Sequence, residues 1–418
     1  MWQSPFSEVD NLLLSVACYL DFAGIVPENF ESSVTFREAT DTFCRKPPSE
    51  QMLGSLLPME IPKLARQTAL SKRFAGTRVT GFINRIDEQK QMQFCAMTFL
   101  LPDDTIFVAY RGTDDTIVGW KEDFMLAFMT PVPAQRSAML YLNYVANLYP
   151  NKRIRVGGHS KGGNLAIYAA IYALPHVQER LEMAYSNDGP GFMPEVLREP
   201  GYLAVQDRLM NYVPQSSIVG VLLHHAGKFQ IIRSTQKALL QHDPFSWVIA
   251  GPRVVYEKSR SSFGAKADAT LDRFLDSLTR AQRKRFIDNL FRMISASGAK
   301  TLTDILRDKL RSARVIIGTF GKLEREDREM MWRIMHQLLR ASRESGRIED
   351  EQKEAARAIE RDIRKENTKK AKERHRALAE NKKQQKITPA KAETQKKATK
   401  SKPTKKPAKA DNKKAPKA

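Results

Sequence analysis

A serine between two glycines is the residue of this chain best placed for covalent chemistry. Within residues 153–164, the spacing Gly-x-Ser-x-Gly occurs as Gly158, Ser160 and Gly162. A β-branched run precedes the motif and a helical pattern follows it, which is the context that a nucleophile elbow requires. A serine on such a turn exposes its Oγ at a helix N-terminus, where the helix dipole and the N–H of Lys161 face a developing oxyanion. The motif therefore predicts an activated serine that attacks acyl groups.

The same glycines allow a second interpretation, a phosphate-binding turn between a strand and a helix. The phosphate-binding loop of nucleotide hydrolases needs two glycines five residues apart, followed by Lys and then Ser or Thr. The sequence contains no segment with that spacing, which favours the nucleophile.

Three stretches of the sequence together resemble a known family, the class 3 lipases of the α/β-hydrolase superfamily. The stretches are Val108-Ala109-Tyr110-Arg111-Gly112-Thr113, Trp120-x-x-Asp123-Phe124 and Gly158-His159-Ser160-Lys161-Gly162-Gly163. The resemblance covers about residues 75–250 and looks closest to a bacterial lipase-like branch with a helical C-terminal extension.

The resemblance implies an α/β-hydrolase fold and hydrolysis of carboxylic, lipid-like esters through an acyl-enzyme on Ser160, with no metal or organic cofactor. It also implies an oxyanion hole formed by the N–H groups of Thr113 and Lys161. A thioester or an amide would be attacked by the same residues. The lipases usually have Leu where this chain has Lys161, so its side chain either adds positive charge near the site or lies in solvent.

A serine nucleophile needs a base, and the chain has seven histidines. In the lipases the catalytic histidine follows a late strand, and the resemblance places His242 there. The second choice is His225, which stands before that strand, although turn packing is the favoured role of His224 and His225.

The carboxylate that orients the base is where the sequence departs from the lipases. They have Asp before Ile-Val, and Ser217 stands at that position. The alternative is Asp188, which follows a predicted strand and gives the order Ser160, Asp188, His242 of α/β-hydrolases. Because Asn-Asp-Gly is also a common turn sequence, Asp188 has a purely structural alternative.

The elements around these motifs predict an α/β domain over residues 1–260, with a central, mostly parallel sheet flanked by helices. Alternation and apolar runs predict four strands, at residues 79–86, 92–101, 106–110 and 152–156. Apolar periodicity predicts three helices, at residues 10–23, 139–148 and 164–174. The apolar stretch 124–129 either lines an acyl groove, forms a lid or, as its spacing favours, packs in the core.

The C-terminal third predicts a different organisation. Apolar residues at three- and four-residue steps predict a helical region of three or four helices over residues 265–345, with Gly298 as a helix stop. Residues 349–387 are predicted to form a charged helix or linker. Residues 388–418, rich in Lys, Ala and Pro, are predicted to be disordered because they cannot bury enough apolar surface.

The net charge of +22 is concentrated in the tail, where residues 351–418 hold 24 Lys or Arg and 9 Asp or Glu. Such a tail is expected to attract anionic lipid surfaces or polyanions, or to aid solubility, and no motif for sequence-specific nucleic-acid recognition accompanies it. The sequence predicts a cytoplasmic protein, peripheral at a membrane if the tail docks there. The reasons are three scattered cysteines, the lack of a basic apolar leader and the lack of a run of about 20 apolar residues.

The alternative to an enzyme is an inactive hydrolase-fold binding protein that acts through its helical region and tail. The oligomeric state stays open.

Overall fold

The centre of the molecule is a sheet whose strands lie side by side in chain order. The computed structural model describes residues 4–46, 58–337 and 340, and within them this sheet has eight strands. The strands are β1 (Val34–Thr35), β2 (Arg78–Asp87), β3 (Met92–Leu100), β4 (Ile106–Tyr110), β5 (Ile154–His159), β6 (Leu181–Asn187), β7 (Leu209–Pro214) and β8 (Lys228–Ile232). A separate two-stranded hairpin consists of β9 (Ile249–Ala250) and β10 (Arg253–Val254).

The direction of the strands changes at β4. Strands β1 to β4 pair antiparallel with one another, whereas β4 to β8 pair parallel. Since the carboxyl ends of parallel strands meet at one edge of a sheet, the loops after β4, β5, β6 and β7 lie near one another. The predicted fold class, a mostly parallel α/β-hydrolase-like sheet flanked by helices and followed by a helical region, is confirmed by this architecture.

Helices cover both faces of the sheet. They are α1 (Glu8–Ala17), α2 (Phe36–Phe43), α3 (Ile61–Leu70), α4 (Ile117–Met125), α5 (Pro133–Leu148), α6 (Lys161–Tyr172), α7 (Pro175–Glu179), α8 (Pro200–Val205), α9 (Ser262–Asp276), α10 (Arg280–Ser295), α11 (Leu302–Arg307) and α12 (Lys309–Lys322). A further helix covers residues 325–337. Helices α1 to α3 share one hydrophobic core with the sheet, and α5 and α6 share the other.

Alternation along β4 supplies both cores at once. Phe107 and Ala109 enter the core on the side of α1, while Val108 and Tyr110 enter the core on the side of α5 and α6. Successive side chains of a strand point to opposite faces, so a strand that is buried throughout is apolar at every position.

The predicted elements agree with the structure in type, and their ends differ where tertiary contacts decide. Strand β4 has the predicted bounds, and β2 and β3 match within one residue. Helix α1 ends at Ala17 instead of residue 23, because Tyr19 and Leu20 turn back through bonds to carbonyls three residues earlier. Helix α5 begins at Pro133, six residues before the predicted start, since proline is favoured in the first helical turn.

The helical region docks on the α/β part through α4. Ile287 and Phe291 of α10 pack with Ile117 of α4, and the N–H of Ile117 donates to the carbonyl of Lys300 at 2.9 Å. The apolar stretch 124–129 belongs to this contact, as Phe124 meets Phe291 at 5.6 Å between ring centroids. Met125 and Leu126 of this stretch are buried, whereas Phe124 is 42 % exposed, so the stretch packs in the core only in part.

The described part of the helical region contains five helical segments rather than three or four. The apolar pattern of residues 302–310 predicts one helix, but the chain breaks at Asp308 (φ −123°, ψ 64°), whose side chain caps α12 by accepting from the N–H of Arg311. Helix α10 ends at Ser295, and Gly298 follows at φ 78°, as a helix stop requires. The predicted charged helix at 349–387 and the predicted disordered tail at 388–418 lie outside the described residues.

Among the described residues, every helix is too short or too polar to span a bilayer.

Candidate functional site

Ser160 lies on a strained turn between β5 and α6. Its backbone has φ 59° and ψ −134°, a conformation that a residue with a side chain adopts only when its surroundings enforce it. The surroundings are two close backbones. A Cβ on Gly158 would lie 2.2 Å from the carbonyl carbon of Gly162, and a Cβ on Gly162 would lie 2.1 Å from the Tyr110 carbonyl oxygen. Only glycine fits at either position, which explains the spacing of the motif.

His242 and Asp188 are brought together at the same edge of the sheet. The Nδ1 of His242 lies 2.7 Å from the Oδ2 of Asp188, and the Asp188 side chain is fully buried while that of His242 is one-quarter exposed. Asp188 has φ 55°, so it serves the Asn-Asp-Gly turn as well. Asp188 therefore belongs to the turn and contacts His242 at the same time.

Ser217, which stands where the lipases have Asp, is a partner of Asp188. Its hydroxyl donates to the Oδ1 of Asp188 at 2.6 Å and accepts from the N–H of Gly220 at 3.0 Å. Both carboxylate oxygens of Asp188 are therefore held, one by His242 and the other by Ser217.

His159, directly before Ser160, holds the backbone of His242. Its Nε2 lies 2.8 Å from the carbonyl oxygen of His242, and the two imidazole rings are 4.6 Å apart between centroids. Since a carbonyl only accepts, His159 carries its proton on Nε2 and accepts at Nδ1 from the hydroxyl of Tyr19, 2.9 Å away. Burial holds the pKa of His159 well below its ordinary value, which keeps the ring neutral, and burial raises the pKa of Tyr19, which keeps the donor protonated.

Helix α1 also supports the turn at Ser160, through hydrogen bonds to Asn187. The carbonyl of Asn187 accepts from the N–H of Ser160 at 2.9 Å, and its side-chain amide donates to the carbonyl of Gly158 at 3.0 Å. The amide of Asn11 on α1 donates in turn to the side-chain oxygen of Asn187 at 2.9 Å. Ser15, one helical turn on, lies 3.3 Å from the Asn187 amide nitrogen.

The loop after β4 lies against Ser160. A Cβ on Gly112 would be 3.0 Å from the Cβ of Ser160, so the next residue, Thr113, is beside the elbow. The Thr113 hydroxyl donates to the Oδ2 of Asp123 on α4. Lys161 is the first residue of α6, where a backbone N–H has no acceptor within the helix.

The side chain of Lys161 is buried under the elbow, so the interpretation as a solvated lysine is wrong. Its Nζ donates to the carbonyl of Gln93 and to the Oε2 of Glu122, both at 3.0 Å. Its charge is compensated by Glu122, and Asp123 lies farther off, at 4.0 Å.

Asp123 has an unusual environment for a carboxylate. Its Oδ1 has no hydrogen-bond partner among the residues described. Burial raises its pKa to about 6, against the opposing effect of Lys161. The group therefore changes charge near neutral pH while accepting from Thr113.

His225 makes its contacts away from Ser160. Its Nε2 donates to the carbonyl of Gly220, its ring packs on Phe229 at 4.9 Å between centroids, and burial lowers its pKa to about 4. This is the turn packing that the sequence favoured for it.

The contribution of α1 and the role of Ser217 were not predicted from the sequence. Asn11 and Ser15 stand four residues apart within the apolar run of α1, and both are buried. Two polar residues at that spacing on a buried face indicate a polar partner, because buried polar groups are hydrogen-bonded. In the described part of the chain, no cluster of three or more His, Cys, Asp or Glu side chains could hold a metal ion.

The chain is distantly similar to lipases of known structure. Among curated proteins none matches the sequence significantly. Among solved structures, the chain is similar to a Rhizomucor miehei lipase in its propeptide complex, at 18 % identity and TM-score 0.28, covering 37 % of this chain and 57 % of that one. It thus spans little more than half of that lipase. Lipase II from Rhizopus niveus is 13 % identical with TM-score 0.35, covering 54 % and 78 % of the two chains. Lip2 lipase from Yarrowia lipolytica is 13 % identical with TM-score 0.33, covering 62 % and 88 %.

A family model matches more than half of the chain. The model of the family described as Mbeg1-like matches residues 68–292, a range that includes Ser160, Asp188, Ser217 and His242. The chain belongs to the Mbeg1-like family.

Proposed function

We propose that the protein is a serine hydrolase that cleaves carboxylic esters through an acyl-enzyme on Ser160. The observation that carries the proposal is the 2.7 Å contact between His242 Nδ1 and Asp188 Oδ2. His159, the residue before Ser160 on its strained strand-to-helix turn, holds the carbonyl of this same His242. With Nδ1–H donated to the carboxylate, the lone pair of His242 Nε2 is available to a proton donor.

The reaction follows from these positions. The Oγ of Ser160 bonds to the ester carbonyl carbon while its proton passes to His242 Nε2. The carbonyl oxygen becomes an oxyanion, and the N–H groups of Thr113 and Lys161 donate to it. When the tetrahedral intermediate collapses, the carbon–oxygen bond of the leaving alcohol breaks, and the alcohol takes the proton from His242. Water, deprotonated by His242, then attacks the acyl carbon. The bond between that carbon and Ser160 Oγ breaks, His242 returns the proton to Oγ, and the acid is released.

Asp188 stabilises the imidazolium that forms in each step and fixes the tautomer of His242. Its buried carboxylate is held on both oxygens, by His242 at 2.7 Å and by Ser217 at 2.6 Å. A carboxylate with fixed partners does not need to reorganise as charge develops on the ring, which is the general advantage of a preorganised site.

The substrate class that we propose is lipid-like esters, and this rests on the resemblance of the three sequence motifs to class 3 lipases. An ester, a thioester and an amide share the acyl carbonyl that Ser160 attacks. A panel of p-nitrophenyl esters from acetate to palmitate, with matched thioesters and amides, separates bond type from chain length.

Labelling by a fluorophosphonate probe tests the proposal directly. We expect the folded wild type to be labelled, Ser160→Ala to be unlabelled, and His242→Ala and Asp188→Asn to be labelled far more slowly. His225→Ala is the matched control, because His225 donates to Gly220 and contacts neither Ser160 nor Asp188 through a hydrogen bond. A folded wild type that stays unlabelled with and without detergent would refute the hydrolase.

A further inference from the structure

The outer face of α12 is an apolar stripe bordered by cations. Leu310 is 85 % exposed and Ile317 is 70 % exposed. Residues seven apart on a helix lie on the same face, and Ala313, also exposed, lies between them. An adjoining side of α12 packs inward through Ile316 and Phe320, which contact the core of the helical region.

The stripe continues onto the neighbouring helix at residues 325–337. The rings of Phe320 and Trp332 meet at 5.9 Å between centroids, which places Trp332 beside the C-terminal end of the stripe. Trp332 is itself 58 % exposed, and Met335, three residues on, is also exposed. We call Leu310, Ala313, Ile317, Trp332 and Met335 the α12 face.

The charges on α12 are all of one sign. The helix contains Lys309, Arg311, Arg314 and Lys322 and no Asp or Glu. Arg314 lies one turn from Leu310 on the same side, and Arg311 lies farther round, so cations border the stripe. None of these four cations forms an ion pair with another described residue.

We propose that the α12 face docks on an anionic lipid surface. An amphipathic helix with Lys and Arg beside an exposed stripe of Leu, Ile and Trp is the composition that lies in the headgroup layer of a bilayer. Leu310 and Ile317 enter the acyl boundary, the indole of Trp332 sits at headgroup level, and the cations meet anionic headgroups. A neutral apolar partner would leave the cations without a counterpart, so the charge pattern favours the lipid.

Vesicle binding tests the docking, and the Ser160→Ala chain is used throughout so that the result does not depend on hydrolysis. We expect the full chain to co-sediment with phosphatidylcholine vesicles that contain phosphatidylglycerol and to bind pure phosphatidylcholine much more weakly. The double variant Leu310→Gln, Ile317→Gln should lose about tenfold or more in affinity. The double variant Arg311→Gln, Arg314→Gln should lose about fivefold per cation.

A control and a local readout separate this face from the basic tail. Leu140 of α5 is 57 % exposed on another surface, so Leu140→Gln should bind as the parent does. The emission of Trp332 should shift to the blue on binding, and Trp332→Phe should abolish the shift. In about 0.5 M salt, exposed charges are screened within a few ångströms. The parent should then still bind vesicles more tightly than the Leu310→Gln, Ile317→Gln variant.

Two results would overturn the proposal. The first is equal vesicle affinity of the parent and the Leu310, Ile317 variant, which would assign the binding to the tail alone. The second is a dimer in sedimentation equilibrium that the same variant converts to a monomer, which would assign the face to a second copy of the chain. Circular dichroism and urea midpoints establish that each variant is folded.

Discussion

The ammonium group of Lys161 lies 3.0 Å from a carboxylate oxygen of Glu122, and neither side chain is exposed. The other carboxylate oxygen of Glu122 accepts from the N–H of Ala134 at 2.7 Å, and the Lys161 ammonium also donates to the carbonyl of Gln93. This one pair therefore ties the start of α6 to α4, α5 and β3. The residue after the proposed nucleophile anchors the elbow in the protein interior.

Removing one member of this pair should destabilise the fold strongly. Lys161→Leu leaves a buried carboxylate without its counter-ion, and we expect a loss of about 3–5 kcal/mol in the free energy of unfolding. Adding Glu122→Gln should recover a large part of that loss, since no charge then remains buried. Urea denaturation of the two single variants and the double variant measures the coupling.

The neighbouring lysine provides the control for this prediction. Lys121 pairs with Asp288 at 3.8 Å, and both side chains are partly exposed, so Lys121→Leu should cost at most about 1 kcal/mol. Equal losses for Lys161→Leu and Lys121→Leu would show that burial of the pair has no energetic weight.

Ser217→Ala should slow the proposed ester hydrolysis moderately. It removes the hydroxyl that donates to Asp188 but leaves the contact with His242, so we expect kcat/KM to fall about tenfold, the effect of about one hydrogen bond to a charged group. Asp188→Asn should lower kcat about 10⁴-fold, because an amide cannot stabilise the imidazolium. Ser216→Ala is the control, since the Ser216 hydroxyl pairs with Ser261 instead. A loss from Ser217→Ala as large as that from Asp188→Asn would contradict this division of roles.

Tyr19→Phe should lower both the stability and the rate of labelling. The change removes the donor to His159 Nδ1 and leaves an unsatisfied acceptor, which costs about 1–3 kcal/mol. A less firmly held His159 loosens the carbonyl of His242, so fluorophosphonate labelling should slow even where the protein is fully folded. Labelling at the wild-type rate in the folded variant would show that His242 is positioned without this relay.

The stability of the protein should depend on pH through Asp123. Its pKa is raised to about 6 from the ordinary value of 3.8, so the folded state binds the proton more tightly than the unfolded state does. The stabilisation from that proton is complete below pH 3.8 and is lost as the pH rises through 6. Relative to Asp123→Asn, the wild type should therefore gain about 1 kcal/mol per pH unit as the pH falls through this window. Parallel urea midpoints for the two proteins between pH 4 and pH 7 would contradict the raised pKa.

The fold could be predicted from the sequence because its signals are local. The run 106–110 is apolar at every position, as a strand buried on both faces must be, and β4 has those bounds. Gly158 and Gly162 reveal the elbow because sterics alone exclude a side chain there. Turn chemistry and periodicity are read directly from neighbouring residues.

The support of the site could not be predicted, because it depends on residues far apart in the chain. The polar side chains of α1 that contact the elbow have no motif of their own, and no local pattern states that Ser217 would donate to Asp188 across 29 positions. The length of α12 and its separation from α11 depend on Asp308, a single cap inside a continuous apolar period. Whether Lys161 faces water or the core is decided by Glu122, on another helix.

The relay from Tyr19 through His159 to His242 has a consequence for the order in which the protein assembles. The contact between Tyr19 and His159 joins residues 140 positions apart, and that between His159 and His242 joins residues 83 positions apart. The contact between His242 and Asp188 closes a loop of 54 positions. Each of these closures costs chain entropy before it is rewarded. The orientation of His242 is therefore an outcome of completed folding. In refolding from urea, reactivity toward a fluorophosphonate should return with the slowest phase, after the helices have formed.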